Sequence, residues 1–207
     1  MYTEILPDVY DITVQDDGEA RYRAFLVDAD VPTLVDAGLP DTTDALFEGL
    51  EEIGLEPERV IVTHGDGDHS GGLEAVRERY DVTVFVPEGE AVDDALVDRR
   101  YGDGDEIGPF TAVHVPGHTP GHHALVAEDD DFAVLADAVF GSDSRGLPEG
   151  YFVLPTAYFS ADLEAADQNL ERLLEYEFDA GLVFHGSSVL SDAREKLEAF
   201  VEFSAKP

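Results

Sequence analysis

Apolar positions along this chain fall into two periods. Short alternating or continuous apolar runs bounded by Gly, Pro and Asp predict strands, and spacing of three to four predicts helices. Ile5 to Val14 reads as a strand broken at Pro7, Asp16-Asp17-Gly18 as a turn, and Arg21 to Val27 as the returning arm of a hairpin. Pro32 to Val35 is a third short strand, ending in Asp36-Ala37-Gly38. From a cap at Asp41 or Thr42, the residues Leu46, Phe47, Leu50 and Ile53 line one face of a helix that Gly54 ends. Arg59 to Thr63 is a strand, followed by a helix near 71–80, a strand at Val82–Val86 and a helix at Glu90–Arg99. Asp103-Gly104-Asp105 turns the chain into a strand at Phe110–Val115, and His123–Ala127 and Phe132–Ala136 form a hairpin across Glu128–Asp131. A long loop over about 140–160 is expected to be functional. A helix then starts at Ser160 or Asp162 and runs to about Tyr176, Ala180–Phe184 is a strand, and Ser191–Phe203 is a closing helix. No linker, repeat or low-complexity segment interrupts the order. An α/β chain of two sheets sharing one core between outer helices fits it, as a single domain over residues 1–207.

Composition changes this picture in one respect. Among 207 residues, 47 are Asp or Glu and 12 are Lys or Arg, a formal net charge of −35, and only Lys196 and Lys206 are lysines. Yet 43% of residues are hydrophobic, enough for an ordinary core and against disorder. An acidic, Lys-poor surface around such a core is what molar salt tolerates, because screening there shortens to about 3 Å. A halophilic cytoplasmic protein, monomer or homodimer, is expected. Nucleic acid and anionic membrane need basic patches, so neither is an expected partner, and a small-molecule substrate is. There is no Cys, hence no disulfide or thiolate ligand. No signal peptide and no membrane span are read from the sequence.

The chemistry concentrates at strand ends. Thr63-His64-Gly65-Asp66-Gly67-Asp68-His69-Ser70-Gly71-Gly72 places two imidazoles and two carboxylates within six positions, directly after Val60-Ile61-Val62. General acidity accounts for the two Asp but not for two of only seven His around them. His118, in Pro116-Gly117-His118-Thr119-Pro120-Gly121-His122, Asp137 and His185 stand at three further strand ends. Strand ends on one sheet edge converge. Seven potential ligands exceed what one Zn²⁺ takes and suit two adjacent ions sharing a carboxylate. His114, inside a strand, reads as structural, His122 as a supporting or packing residue, and Asp36 as a hydrogen-bonding support rather than a ligand.

In these residues the chain resembles the metallo-β-lactamase fold hydrolases, whose signature is H-x-H-x-D-H followed by a later His, Asp and His. The Leu34-Val35-Asp36-Ala37-Gly38 strand end and His185-Gly186 also fit. The resemblance implies an αββα sandwich of two mixed β-sheets with helices on the outer faces, carrying a dinuclear site on one edge. Carried over, one ion takes His64, Asp66 and His118, the other Asp68, His69 and His185, and Asp137 bridges them. The Pro116–Gly121 loop is similar to the glyoxalase II branch, which implies hydrolysis of a thioester, ester or lactone, with Asp68 also orienting the nucleophile. The closing helix offers only Arg194 and Lys196 as cations, so a substrate other than a glutathione thioester is expected. Arg145, Tyr151 and Tyr158 on the long loop are substrate-side candidates. Position 66 departs from the pattern, being Asp where these hydrolases have His; Zn is the expected metal, and the harder carboxylate admits Fe or Mn. The same departure keeps two alternatives open. One resembles the persulfide dioxygenases, with a single iron on His64, His118 and Asp137. The other is a non-catalytic binding module.

Overall fold

The chain begins with β1 (Tyr2–Leu6), turns at Pro7-Asp8, and returns as β2 (Val9–Asp16). The computed structural model describes residues 1–16 and 21–203; the expected turn at Asp17-Gly18 lies outside them. The described residues form two compact units, divided between Tyr101 and Gly102.

In the N-terminal unit β3 (Arg21–Val27) and β4 (Thr33–Val35) continue the antiparallel order, and β5 (Arg59–Ile61), β6 (Thr83–Pro87) and β7 (Arg99–Tyr101) add in parallel, giving one seven-stranded mixed sheet in sequence order. The helix α1 (Thr43–Ile53) buries Leu46, Gly49 and Leu50, and Gly54 closes it in the left-handed conformation. Thr42 precedes the helix, but its hydroxyl donates to the Leu39 carbonyl rather than accepting from the first turn. Two short helices follow β5: α2 (Gly67–Ser70) and α3 (Leu73–Arg79). The core joins α1 and α3 to the sheet through Ile12, Leu26, Leu34, Leu46, Leu50, Val60 and Val76. Burying each Leu or Ile contributes roughly 1.5–3 kcal/mol.

The expected helix at 90–99 does not form. One 3-10 turn spans Asp94–Leu96, capped by the Asp93 carboxylate, which accepts from the Ala95 amide. Two tertiary bonds outweigh the local helical pattern there. The Glu90 carboxylate accepts from the Gly65 amide, and Arg99–Tyr101 satisfies the open edge of β6 as a strand.

In the C-terminal unit β8 (Glu106–Ile107), β9 (Phe110–His114), β10 (His123–Ala127) and β11 (Phe132–Ala136) are antiparallel neighbours, and β14 (Ala180–Val183) joins β11 in parallel. The 123–136 hairpin falls where the apolar pattern put it. The 140–160 segment is more ordered than a loop, since it holds a small ribbon of β12 (Phe140–Gly141) and β13 (Phe152–Val153). The helix expected to reach Tyr176 is α4 (Leu163–Asn169), after which the chain tightens into a 3-10 helix over Leu170–Glu175. Asp162 caps α4 by accepting from the Ala165 amide. The helix α5 (Ala193–Glu202) packs Ala193 and Leu197 into a core with Leu135, Phe152, Leu170 and Val183. Both large sheets are mixed and the fold is α/β. Among the described residues, no helix is long and apolar enough to cross a membrane.

Candidate metal centre

In the N-terminal unit the parallel strands β4 and β5 end side by side, bringing Asp36 against Thr63. Asp36 is fully buried and holds a left-handed φ of 59°, a cost an L residue bears only where its surroundings fix it. Its carboxylate accepts from the Thr63 amide at 2.7 Å, the Thr63 hydroxyl at 2.7 Å and His69 Nδ1 at 2.6 Å. Burial pushes this carboxyl up, and His69 and the Thr63 donors pull it partly back. With Asp36 ionised, both neighbouring tautomers are determined. His69 donates from Nδ1, and the Thr63 hydroxyl spends its proton on Asp36, so His64 Nδ1 donates to that hydroxyl at 3.1 Å. Both imidazoles thereby keep a lone pair on Nε2. Their rings lie 4.0 Å apart.

The loop between them is held from several sides. Gly65 N donates to Glu90, the Ser70 hydroxyl to the Gly65 and Asp66 carbonyls, and the Ala37 amide to the His69 carbonyl. A Cβ on Gly72 would lie 2.2 Å from the Ala37 carbonyl oxygen, so only glycine allows this approach. Asp66 starts α2, with Asp68 and His69 on that turn. Asp66 is 44% exposed and Asp68 23%.

In the C-terminal unit a register shift between Val134 and Ala136, with Ala136 at φ 48°, turns Asp137 at the end of β11. The Asp137 amide donates to His122 Nε2 at 3.1 Å, so that nitrogen is an acceptor and His122 supports Asp137, as expected. The Ser160 hydroxyl donates to the Thr156 carbonyl, leaving His118 Nδ1 as the donor to Ser160 at 3.4 Å and its Nε2 as a lone pair. Asp137 Oδ2 lies 3.4 Å from His118 Nε2 and 3.3 Å from His185 Nε2, between the two imidazoles. His185 packs its ring on Phe140, 4.6 Å between centroids. The backbone after it is tied down by Asp143, which accepts from the Ser187 amide and hydroxyl.

Four imidazole Nε2 atoms therefore each face a carboxylate oxygen: His64–Asp66 at 3.8 Å, His69–Asp68 at 3.9 Å, and His118 and His185 to Asp137. A charged imidazolium–carboxylate hydrogen bond is about 2.7–2.9 Å long. Two donors each about 2.0–2.2 Å from a tetrahedral ion stand about 3.3–3.6 Å apart. The two separations at Asp137 fall in that range, and those at Asp66 and Asp68 are 0.2–0.3 Å longer, all four too long for a charged hydrogen bond. The donor set is nitrogen and oxygen without sulfur, which Zn, Fe and Mn all accept.

The other site candidates are placed differently. Arg145 donates to the Leu154 carbonyl, and Tyr151 and Tyr158 are exposed, Tyr158 at 87% with its ring edge-on to Phe159. They cover no core. His114, on β9, donates to the Pro120 carbonyl, a structural contact. The supports that sequence reasoning missed are Glu90, Asp143 and Ser160. They act 25, 44 and 42 residues from their partners, so no local pattern marks them.

The family model described as the Metallo-beta-lactamase superfamily matches residues 23–95 and 90–186. A hydroxyacylglutathione hydrolase of Rhizobium meliloti is 28% identical over 164 residues, 77% of this chain and 60% of that protein, so the chain spans less than two thirds of that relative's length. Among solved structures, a metallo-beta-lactamase from Pontibacter korlensis superposes with a TM-score of 0.76 at 18% identity, over 97% of this chain and 96% of that one. TTHA1623 in a di-iron-bound form superposes with a TM-score of 0.64 at 24% identity, over 86% and 92%.

Proposed function

The chain belongs to the metallo-beta-lactamase superfamily, and from that premise we propose that it is a metal-dependent hydrolase whose two groups of ligands serve one dinuclear centre. His64, Asp66 and His118 would hold one ion and Asp68, His69 and His185 the other, with Asp137 shared. The observation that carries the reading is that His64, His69 and His118 are held at Nδ1 while the Nε2 atoms of these three and of His185 each stand 3.3–3.9 Å from a carboxylate oxygen.

Two divalent ions held by these residues would supply a water of lowered pKa and polarise a carbonyl oxygen. The chain's own part is orientation. Asp68 accepts a hydrogen bond from the attacking water and aims it. Asp36, Thr63 and Ser160 keep the ligand rings in one tautomer and one plane. No side-chain nucleophile is required, in keeping with the absence of Cys and of a G-x-S-x-G motif.

The substrate class is a thioester, ester or lactone, for which the likeness to a hydroxyacylglutathione hydrolase argues. Glutathione itself fits less well. Arg194 is engaged by Glu198 and the Leu174 carbonyl, and Lys196 by the Ser191 carbonyl. Arg145, Tyr151 and Tyr158 are proposed to meet the substrate. The test is metal identity and stoichiometry by mass spectrometry on protein purified in molar KCl, with hydrolysis of an acyl thioester and an aryl ester. Two ions per chain and chelator-sensitive hydrolysis are expected. Less than one ion per chain with chelator-insensitive turnover would overturn the proposal.

Asp66 favours a second reading, one iron on His64, His118 and Asp137 with open positions for O₂, because Asp66 is the most exposed of the ligand candidates at 44%. O₂ uptake with a persulfide and a single iron per chain would select it.

A further inference from the structure

Two histidines outside the ligand set grip the loop that carries His118. His114 on β9 and His123 on β10 are direct cross-strand partners, and their rings stack at 4.8 Å between centroids and 29° between planes. His114 Nε2 lies 2.8 Å from the Pro120 carbonyl and His123 Nδ1 2.8 Å from the Gly121 carbonyl. A carbonyl can only accept, so His114 is protonated at Nε2 and His123 at Nδ1. The two rings thus hold consecutive carbonyls of one loop limb while bracing each other.

The opposite limb is anchored separately. The Gly117 carbonyl accepts from the Asp162 amide, the His118 carbonyl from the Ala161 amide, and the Pro116 carbonyl from Asn169. Gly117, at φ 143°, lies so close to α4 that an added Cβ would stand 2.1 Å from the Ala166 nitrogen. His118 is therefore suspended between a helix start on one side and a histidine pair on the other. The pair is itself backed by Asp103, which accepts from the His114 amide at 2.8 Å and from Arg172 at 2.6 Å.

We propose that His114 and His123 are positioning residues for His118, a stacked pair whose two N–H donors hold the Pro120-Gly121 limb and so fix where the His118 ring stands. The inference rests on the reading of His118 as a metal ligand for its functional consequence, but the hold on the loop does not depend on it.

The isosteres make the test. Gln presents its amide where His Nε2 stands, and Asn presents it where His Nδ1 stands. In full-length protein in molar KCl, His114→Gln and His123→Asn are expected to keep zinc affinity within about threefold of the parent. His114→Phe, which keeps the stack and loses the donor, and His123→Gln, which misplaces it, are expected to weaken zinc by tenfold or more. In metal-free protein, hydrogen exchange of the Val115 and Gly117 amides, which close this loop on the His122 and Thr119 carbonyls, is expected to quicken by tenfold or more in His114→Phe and not in His114→Gln. Equal exchange in His114→Phe and parent, or equal loss in the Phe and Gln variants, would overturn the inference. A parent that binds no zinc yet shows the exchange pattern would instead sink the metal reading and leave the pair's role standing.

Discussion

Asp36 shows how one side chain sets the state of others. Its three accepted hydrogen bonds decide which nitrogen of His69 and, through Thr63, of His64 bears the lone pair. Asp36→Asn keeps the shape but puts an amide where an acceptor is needed, so metal affinity is expected to fall by about 10–100-fold in a chelator-competition titration. Asp66→His would restore the ligand type of the related hydrolases and is expected to raise zinc over iron occupancy, read by mass spectrometry after growth with both metals. The supporting role of Asp36 was legible from its place at a strand end. That of Glu90 was not, because the Gly65 amide it caps is brought near by folding alone.

Elements whose hydrophobic pattern agrees with their surroundings formed where expected. The hairpin of β10 and β11 is buried at every position, apolar at all but His123, and turns through a segment rich in Asp. The 90–99 segment had a helical spacing but also a partner at each end, and those partners won. Asp98, near its end, accepts from the Val84 amide and from Arg77, and these hold its carboxyl below the usual range. A depressed folded pKa stabilises above the unfolded value of about 3.9, and the gain is lost as pH falls through the folded pKa. Asp98→Asn is therefore expected to lower the melting temperature at pH 7, with the gap to the parent closing below pH 4. The carboxylate is 38% exposed, so screening keeps the effect under about 1 kcal/mol. In the core of the N-terminal unit, Leu50→Ala is expected to cost about 2–5 kcal/mol in denaturant unfolding.

For the molecule as a whole, charge decides the conditions in which it folds. A formal net charge of −35 on 207 residues is strongly self-repelling when the screening length is about 10 Å, as at 0.1 M salt, and weakly so at about 3 Å in 1 M. The melting temperature is expected to rise steeply between 0.1 and 2 M KCl, measured by calorimetry at constant pH. A flat dependence would remove the basis for a halophilic origin.

Residue type and order along the chain determined which groups were candidate ligands, because imidazoles and carboxylates at successive strand ends are a local pattern that survives unfolding. They also determined the α/β character, since periodicity is written residue by residue. Only the tertiary structure decided the tautomers, the spacing of Asp137 between His118 and His185, and the grip of His114 and His123 on their loop. Each of these depends on a hydrogen bond or contact between residues distant in sequence or across a hairpin, where direction and separation are set by packing rather than by neighbours along the chain.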